Sequence, residues 1–331
     1  MKLDQIPRLP LVFGPTPVEP MRRYSEALGV NLSVKRDDFT GFGGGGNKVR
    51  KLEFLMADAV AQNVKVLITT GGHQSNHARM VAAAARHFGM HPVLVLRGNR
   101  PTEYQGNLLL DRLFGAELEF LDPDAYFDEI APRMQAHADA ATARGEAAYI
   151  MPVGGATPLG ALGYVQAVKE LAGQYAAAGR KPPQYIATAV GSGGTLAGLA
   201  IGVHLFWPET RVVGIAVSGS AVPFVERIAV MATAGGELID AGRGWTADDI
   251  WVETDYVGPA YGVPSDAGNA QIFRAARDEG VLLDPVYTGK GMAGLVDIIA
   301  KGKIAPGSDV LFIHTGGSPA LYPFAAVLNR D

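Results

Sequence analysis

Apolar runs and helically spaced apolar stripes alternate along this chain. Short runs rich in Val, Ile, Leu and Ala occur at Val64–Thr70, Pro92–Leu96, Leu118–Leu121, Ala148–Val153, Tyr185–Val190, Arg211–Val217 and Val310–His314. Runs this continuously apolar read as strands buried on both faces. Between them the helical spacing recurs at about Asn47–Gln62, Asn76–Phe88, Gln105–Leu113, Ala125–Ala143, Leu159–Ala178, Leu196–Phe206, Ala267–Glu279, Gly291–Lys301 and Pro319–Leu328. Strands separated by helices predict an α/β fold with open, twisted parallel sheets and helices on both faces. Such sheets bind ligands at the carboxyl ends of their strands. Glycines gather there, at Gly71-Gly72, Gly154-Gly155, Gly191–Gly194 and Gly316-Gly317. Arg180–Pro183 reads as a surface connection, and the alternation itself places no domain boundary.

Composition narrows the function classes. A chain of 331 residues, 48% hydrophobic, suffices for one large or two modest domains with a substantial core. A formal net charge of −4 offers no general attraction to nucleic acid or to an anionic membrane. No apolar run reaches membrane-span length, and prolines break the apolar start MKLDQIPRLPLVFGPTP, which has no signal-peptide core. A cytoplasmic protein is the expectation. With no cysteine, disulfides and thiolate metal sites are excluded.

The most informative local stretch is Gly43–Leu55, GGGGNKVRKLEFL. Its glycines allow positive φ and close approach to a flat ligand. Lys48, Arg50 and Lys51 then stand at a helix start, where cations are unfavourable and need a reason. A lysine desolvated at such a turn has a lowered pKa and a nucleophilic amine, as a Schiff-base lysine requires; Lys48 and Lys51 both qualify. A second constellation, Gly191-Ser192-Gly193-Gly194-Thr195, links an apolar strand to a helix. Its successive N–H groups, helix start and two hydroxyls suit a phosphate. A third, Gly71-Gly-His-Gln-Ser-Asn-His77, leaves a strand for a helix that Ser75 or Asn76 can cap, with free N–H groups suited to a carboxylate. His73 and His77 have the spacing of helical metal ligands, but Gln74 replaces the glutamate of HExxH and no third ligand is evident, so no metal is expected. No Walker lysine or GxSxG elbow is present.

GGNKVRKLEFL (Gly45–Leu55) resembles the active-site segment of pyridoxal-phosphate (PLP) enzymes of the tryptophan synthase β-like fold, in the branch of D-cysteine desulfhydrase and 1-aminocyclopropane-1-carboxylate (ACC) deaminase. The resemblance continues, in order, through GGHQSNHARMVAAAA (Gly71–Ala85), AVGSGGTLAGLAIG (Ala189–Gly202), PAYGVPSDAG (Pro259–Gly268), GVLLDPVYTGKGMAGL (Gly280–Leu295) and FIHTGGSPAL (Phe312–Leu321). It implies PLP carried by Lys48, with the phosphate held by Gly191, Ser192, Gly193, Gly194 and Thr195. Asn76 would contact the cofactor's 3′-oxygen. Ser75, with Asn76 and His77 beside it, would bind the carboxylate of a small amino-acid substrate and relay a proton near Lys48. Tyr261 and Tyr287 would approach the substrate as catalytic groups, while Lys290 and His314 would stand behind the site. The resemblance further implies a homodimer, and a small domain of residues 52–160 inserted into a large one formed by 1–51 and 161–331. Where ACC deaminase carries glutamate and leucine, this chain has Thr288 and Thr315, as D-cysteine desulfhydrase does. A neutral hydroxyl at the pyridine nitrogen makes a weaker electron sink than a carboxylate, so the expected reaction is β-elimination, most simply of D-cysteine. ACC, cysteate, β-chloro-D-alanine and D-serine remain alternative substrates.

Overall fold

The computed structural model describes residues 2–219 and 221–329. In chain order the elements are β1 (Val18–Pro20), α1 (Arg22–Leu28), β2 (Asn31–Arg36), α2 (Lys48–Ala61), β3 (Val66–Gly72), α3 (Asn76–His87) and β4 (His91–Arg97). Then come α4 (Asn107–Leu113), β5 (Glu117–Leu121), α5 (Tyr126–Ala143), β6 (Ala148–Ile150), α6 (Pro158–Ala177), β7 (Tyr185–Val190) and α7 (Gly194–Phe206). The chain continues with β8 (Arg211–Ala216), α8 (Ala221–Leu238), β9 (Trp251–Glu253), α9 (Asp266–Glu279), α10 (Thr288–Ala300), β10 (Asp309–His314) and α11 (Ala325–Leu328).

Among the described residues these strands form two sheets, ordered β1-β2-β10-β7-β8-β9 and β5-β4-β3-β6. All pairs are parallel except β1 with β2, an antiparallel edge that the apolar pattern does not announce. Alternate residues of β10 serve opposite faces, as the period of two requires. Val310 and Phe312 pack with Val34, Ala187, Leu295 and Ile298, whereas Leu311 and Ile313 meet Tyr164, Val168 and Leu199 of α6 and α7. Burying each such aliphatic side chain contributes about 1.5–3 kcal/mol, so the helices are fixed on both faces.

The topology also decides where chemistry can sit. Strands β2, β10 and β7 are neighbours, registered Val34↔Phe312↔Ala187. Their carboxyl ends therefore deliver residues 37–47, 315–317 and 191–195 side by side. The second sheet contributes the carboxyl end of β3, at Gly71-Gly72.

Candidate active site

The glycine loop after β2 lies flat against the loop after β10. Gly46 has φ +128°, a conformation that side chains rarely adopt, and a methyl there would lie 3.1 Å from the Thr315 carbonyl and 2.6 Å from Met80 Cε. Asn47 N–H donates to the Thr315 carbonyl at 2.9 Å. Its side-chain amide donates to Thr195 Oγ1 at 3.0 Å. Lys48 thus follows a residue tied through its main chain to the loop after β10 and through its side chain to the first turn of α7. A methyl placed on Gly154 would sit 2.2 Å from Ser192 Oγ and 3.9 Å from Lys48 Nζ, which puts the amine beside the glycine cradle after β7. Burial lowers the Lys48 pKa from 10.5 to about 8.

The cations at the start of α2 each have a reason. Arg50 donates to both Asp37 oxygens at 2.8 Å and to both Glu170 oxygens at 3.0 Å. Lys51 donates to the Gly154 carbonyl at 3.1 Å, and its Nζ lies 2.8 Å from where a methyl on Gly194 would stand. Burial, and secondarily the charge of Lys48, hold its pKa well below the lysine range. Because α7 begins at Gly194, with Gly193 as its N-cap, the free N–H groups of its first turn and the Lys51 amine share one small space. That donor set suits a phosphate. In the sequence Lys51 reads only as a rival anchor, although a spacing of three from Lys48 places both on one helix face.

From the second sheet, Ser75 caps α3 and accepts the Ala78 N–H at 3.1 Å. A methyl on Gly71 would lie 2.4 Å from Ser75 Oγ, so the hydroxyl stands against the end of β3. Asn76 Oδ1 accepts from the Asn107 side-chain amide at 2.8 Å, tying the head of α3 to α4. Tyr261 and Tyr287 bring the two strand ends together, since their hydroxyls share a hydrogen bond of 2.5 Å. A methyl on Gly72 would lie 3.8 Å from the Tyr261 ring, and one on Gly191 3.4 Å from the Tyr287 ring. Burial raises both phenols, Tyr287 well above its ordinary range. Lys290 supports this wall by donating to the Val257 and Ala260 carbonyls at 2.6 and 3.2 Å. His314 lies behind it, at 2.9 Å from the Leu282 carbonyl.

Two of the expected contact residues, Thr288 and His77, already have partners within the protein. The Thr288 hydroxyl is fully buried and reciprocally bonded to Asp284, donating to Oδ1 at 2.7 Å and accepting from the Asp284 N–H at 2.8 Å. Its proton is engaged by the Asp284 carboxylate and is not free for a pyridine nitrogen. Asp284 also accepts the N–H groups of Val286, Tyr287 and Thr288, each within 2.9 Å, and its spacing of four before Thr288 at a helix start was the missed signal. His77 is likewise turned inward. Thr69 Oγ1 donates to the Met151 carbonyl at 2.7 Å and so accepts from His77 Nε2 at 2.9 Å. Burial, with Lys48 and Lys51 nearby, keeps His77 neutral, and its Nδ1 has no hydrogen-bond partner. It is no ready carboxylate ligand.

The chain matches a protein family described as pyridoxal-phosphate dependent enzyme over residues 9–316. It belongs to that family. A solved structure described as an ACC deaminase homologue is 36% identical, with TM-score 0.89, over 98% of this chain and 96% of its own. Processed threonine deaminase isoform 2 from Solanum lycopersicum shares the fold at 17% identity, with TM-score 0.67, over 99% of this chain and 92% of its own. Diaminopropionate ammonia lyase from Escherichia coli does so at 16% identity, with TM-score 0.68, over 99% and 91%. The residues present fit the cofactor of a PLP-dependent enzyme: a desolvated amine, a glycine cradle at a helix start and a second lysine beside that cradle lie close together. Among the described residues no helix is long and apolar enough to cross a membrane.

Proposed function

We propose that this chain is a PLP-dependent lyase that eliminates the β-substituent of a small amino acid. D-cysteine is the favoured substrate: with water it gives pyruvate, ammonia and hydrogen sulfide. The bound cofactor draws electrons from the substrate Cα, which makes the α-proton acidic. The remaining work falls to the protein. Lys48 carries the cofactor, Gly191–Thr195 and Lys51 hold its phosphate, and Asn76 turns its amide toward the ring oxygen. Ser75 and the N-terminus of α3 bind the substrate carboxylate. With its pKa near 8, the Lys48 amine takes and returns a proton near neutral pH. Tyr261 and Tyr287 hold their protons at neutral pH because burial raises them. They serve as donors to the leaving sulfur.

One observation carries elimination over cyclopropane opening: Thr288, standing where ACC deaminase has glutamate, is neutral, and its proton belongs to Asp284. A thiolate leaves without the strong sink that ring opening requires. A second reading, ACC deamination, is supported by the 36% identity to an ACC deaminase homologue. A panel of D- and L-cysteine, β-chloroalanine, serine, cysteate and ACC separates the two. Pyruvate and sulfide from D-cysteine with little 2-oxobutyrate from ACC is expected. Efficient release of 2-oxobutyrate from ACC would replace the first reading with the second.

A further inference from the structure

Arg79 is a fully buried arginine on α3 with no role in the elimination reaction itself. Its guanidinium donates through one amino group to the Gly43 carbonyl and through the other to the Gly45 carbonyl, the latter at 3.0 Å. Its backbone N–H donates to the carbonyl of Ser75 at 3.3 Å. One residue thus bonds directly both to the loop that ends at Lys48 and to the cap that heads α3. Among the described residues no carboxylate lies at hydrogen-bond distance from the guanidinium. Asp111 is the charge that acts on it, and neither Asp111 oxygen has a hydrogen-bond partner. Desolvation lowers the Arg79 pKa to about 10, so it is still a cation at neutral pH.

We propose that Arg79 is a positioning residue that sets the distance between the cofactor-bearing lysine loop and the substrate-carboxylate clamp. This rests on the proposed roles of Lys48 and Ser75. Its planar fork reaches two carbonyls on either side of Gly44, those of Gly43 and Gly45. A lysine ammonium has no such fork. Gly44 itself leaves room for it: at φ +86°, a methyl there would stand 2.8 Å from the Arg79 guanidinium. The loop's glycine content and the buried arginine are therefore two parts of one device. Without the fork, the carbonyls of Gly43 and Gly45 lose their donors, the loop opens, and Lys48 moves relative to Ser75.

Arg79→Lys and Gly44→Ala perturb the same contact from its two sides. In Arg79→Lys, PLP should dissociate about tenfold more readily. In the holoenzyme, backbone amides of residues 43–49 should exchange hydrogen faster in each variant, and kcat should fall more than KM rises. The double variant should be little worse than the worse single one, because both break one contact. Additive effects, or a fall in thermal midpoint with PLP affinity and exchange at 43–49 unchanged, would reduce Arg79 to a packing residue. If Arg79→Lys does not fold, Gly44→Ala alone decides: unchanged exchange at residues 43–49 overturns the proposal. Borohydride reduction and peptide mapping of the wild-type holoenzyme keep the two levels apart. A pyridoxyl group on Lys48 beside unaffected variants would sink only the role of Arg79. A label on another lysine would sink the site assignment itself.

Discussion

Two buried charge clusters flank the loop that leads to Lys48, and they are built in opposite ways. Behind α2, Arg50 and Lys35 meet Asp37 and Glu170 at hydrogen-bond distance, and Tyr164 and Thr16 donate to the Asp37 carboxylate at 2.6 and 2.8 Å. Positive and negative charges balance, and each carboxylate meets several donors. On the α3 side, Arg79 and Asp111 are as deeply buried but make no ion pair at contact distance. Arg79 Nε, Asn107 Oδ1 and both Asp111 oxygens are without partners. Buried polar groups are normally satisfied, and unsatisfied ones concentrate where function imposes a constraint. The balanced cluster faces the body of the large sheet, whereas the unbalanced one supports the lysine loop from the cleft side. The first is expected to carry stability and the second geometry.

The largest effect should come from breaking the balanced cluster. Arg50→Met leaves Asp37 buried without its main partner, which costs about 3–5 kcal/mol. The urea midpoint of the PLP-free protein reads this directly. A loss below about 1 kcal/mol would mean that water replaces the guanidinium and that the two clusters are not different in kind.

That contrast also marks what could be read from the sequence. Strand β7 was legible to the residue because Tyr185–Val190 is apolar at every position but Thr188 and is buried on both faces. Strand β2 was not, because its Lys35 and Arg36 look like surface residues until Glu170 and Glu19 are brought to them from elsewhere in the chain. The edge strands β1 and β9 are three residues long, too short for periodicity to show. Helix α8 was unmarked because a proline and a glycine pair fall within Ala221–Leu238. Pro319 and Pro323 likewise turn most of the helix expected over Pro319–Leu328 into short 3₁₀ turns, leaving Ala325–Leu328 helical. In the site, the Lys48 loop, Ser75 and the Gly191–Thr195 cradle stand in local motifs that the sequence displays, whereas the choice of Lys48 over Lys51 rests on the family resemblance. What Thr288 and His77 bond to, and what Arg79 joins, depends on segments distant in sequence or on side-chain direction, which no motif encodes.

A smaller effect sharpens the comparison in acid. Burial alone would raise Asp37 and Glu170, but Arg50, with Lys35 behind it, holds both below their ordinary values of 3.8 and 4.5. A depressed carboxylate pKa contributes stability that is present above the unfolded value and is lost as pH falls through the folded one. The wild-type urea midpoint should therefore drop as pH is lowered below 4.5. In Arg50→Met the drop should be shallower or reversed, because desolvation then dominates. Parallel pH profiles for the two proteins would remove the ion pairs as the source of acid sensitivity.

The smallest effect has the opposite sign and comes from the unbalanced cluster. Desolvation raises Asp111 well above its ordinary 3.8, and Arg79 only partly offsets it. A carboxyl whose folded pKa is raised penalises the folded state increasingly as pH rises from the unfolded value to the folded one, and the penalty is absent below the unfolded value. Asp111→Asn keeps the shape and removes the ionisation. It should leave the protein as stable as wild type or more stable at neutral pH, by about 1 kcal/mol or less. The advantage should shrink as pH falls toward 3.8 and vanish below it, where the wild-type carboxyl is protonated in both states. Urea midpoints for the pair, measured from neutral pH down to below 3.8, test both the sign and its pH dependence. A loss of stability at neutral pH would mean that Asp111 is ionised and bonded to Arg79 through water, a partner that makes the second cluster resemble the first.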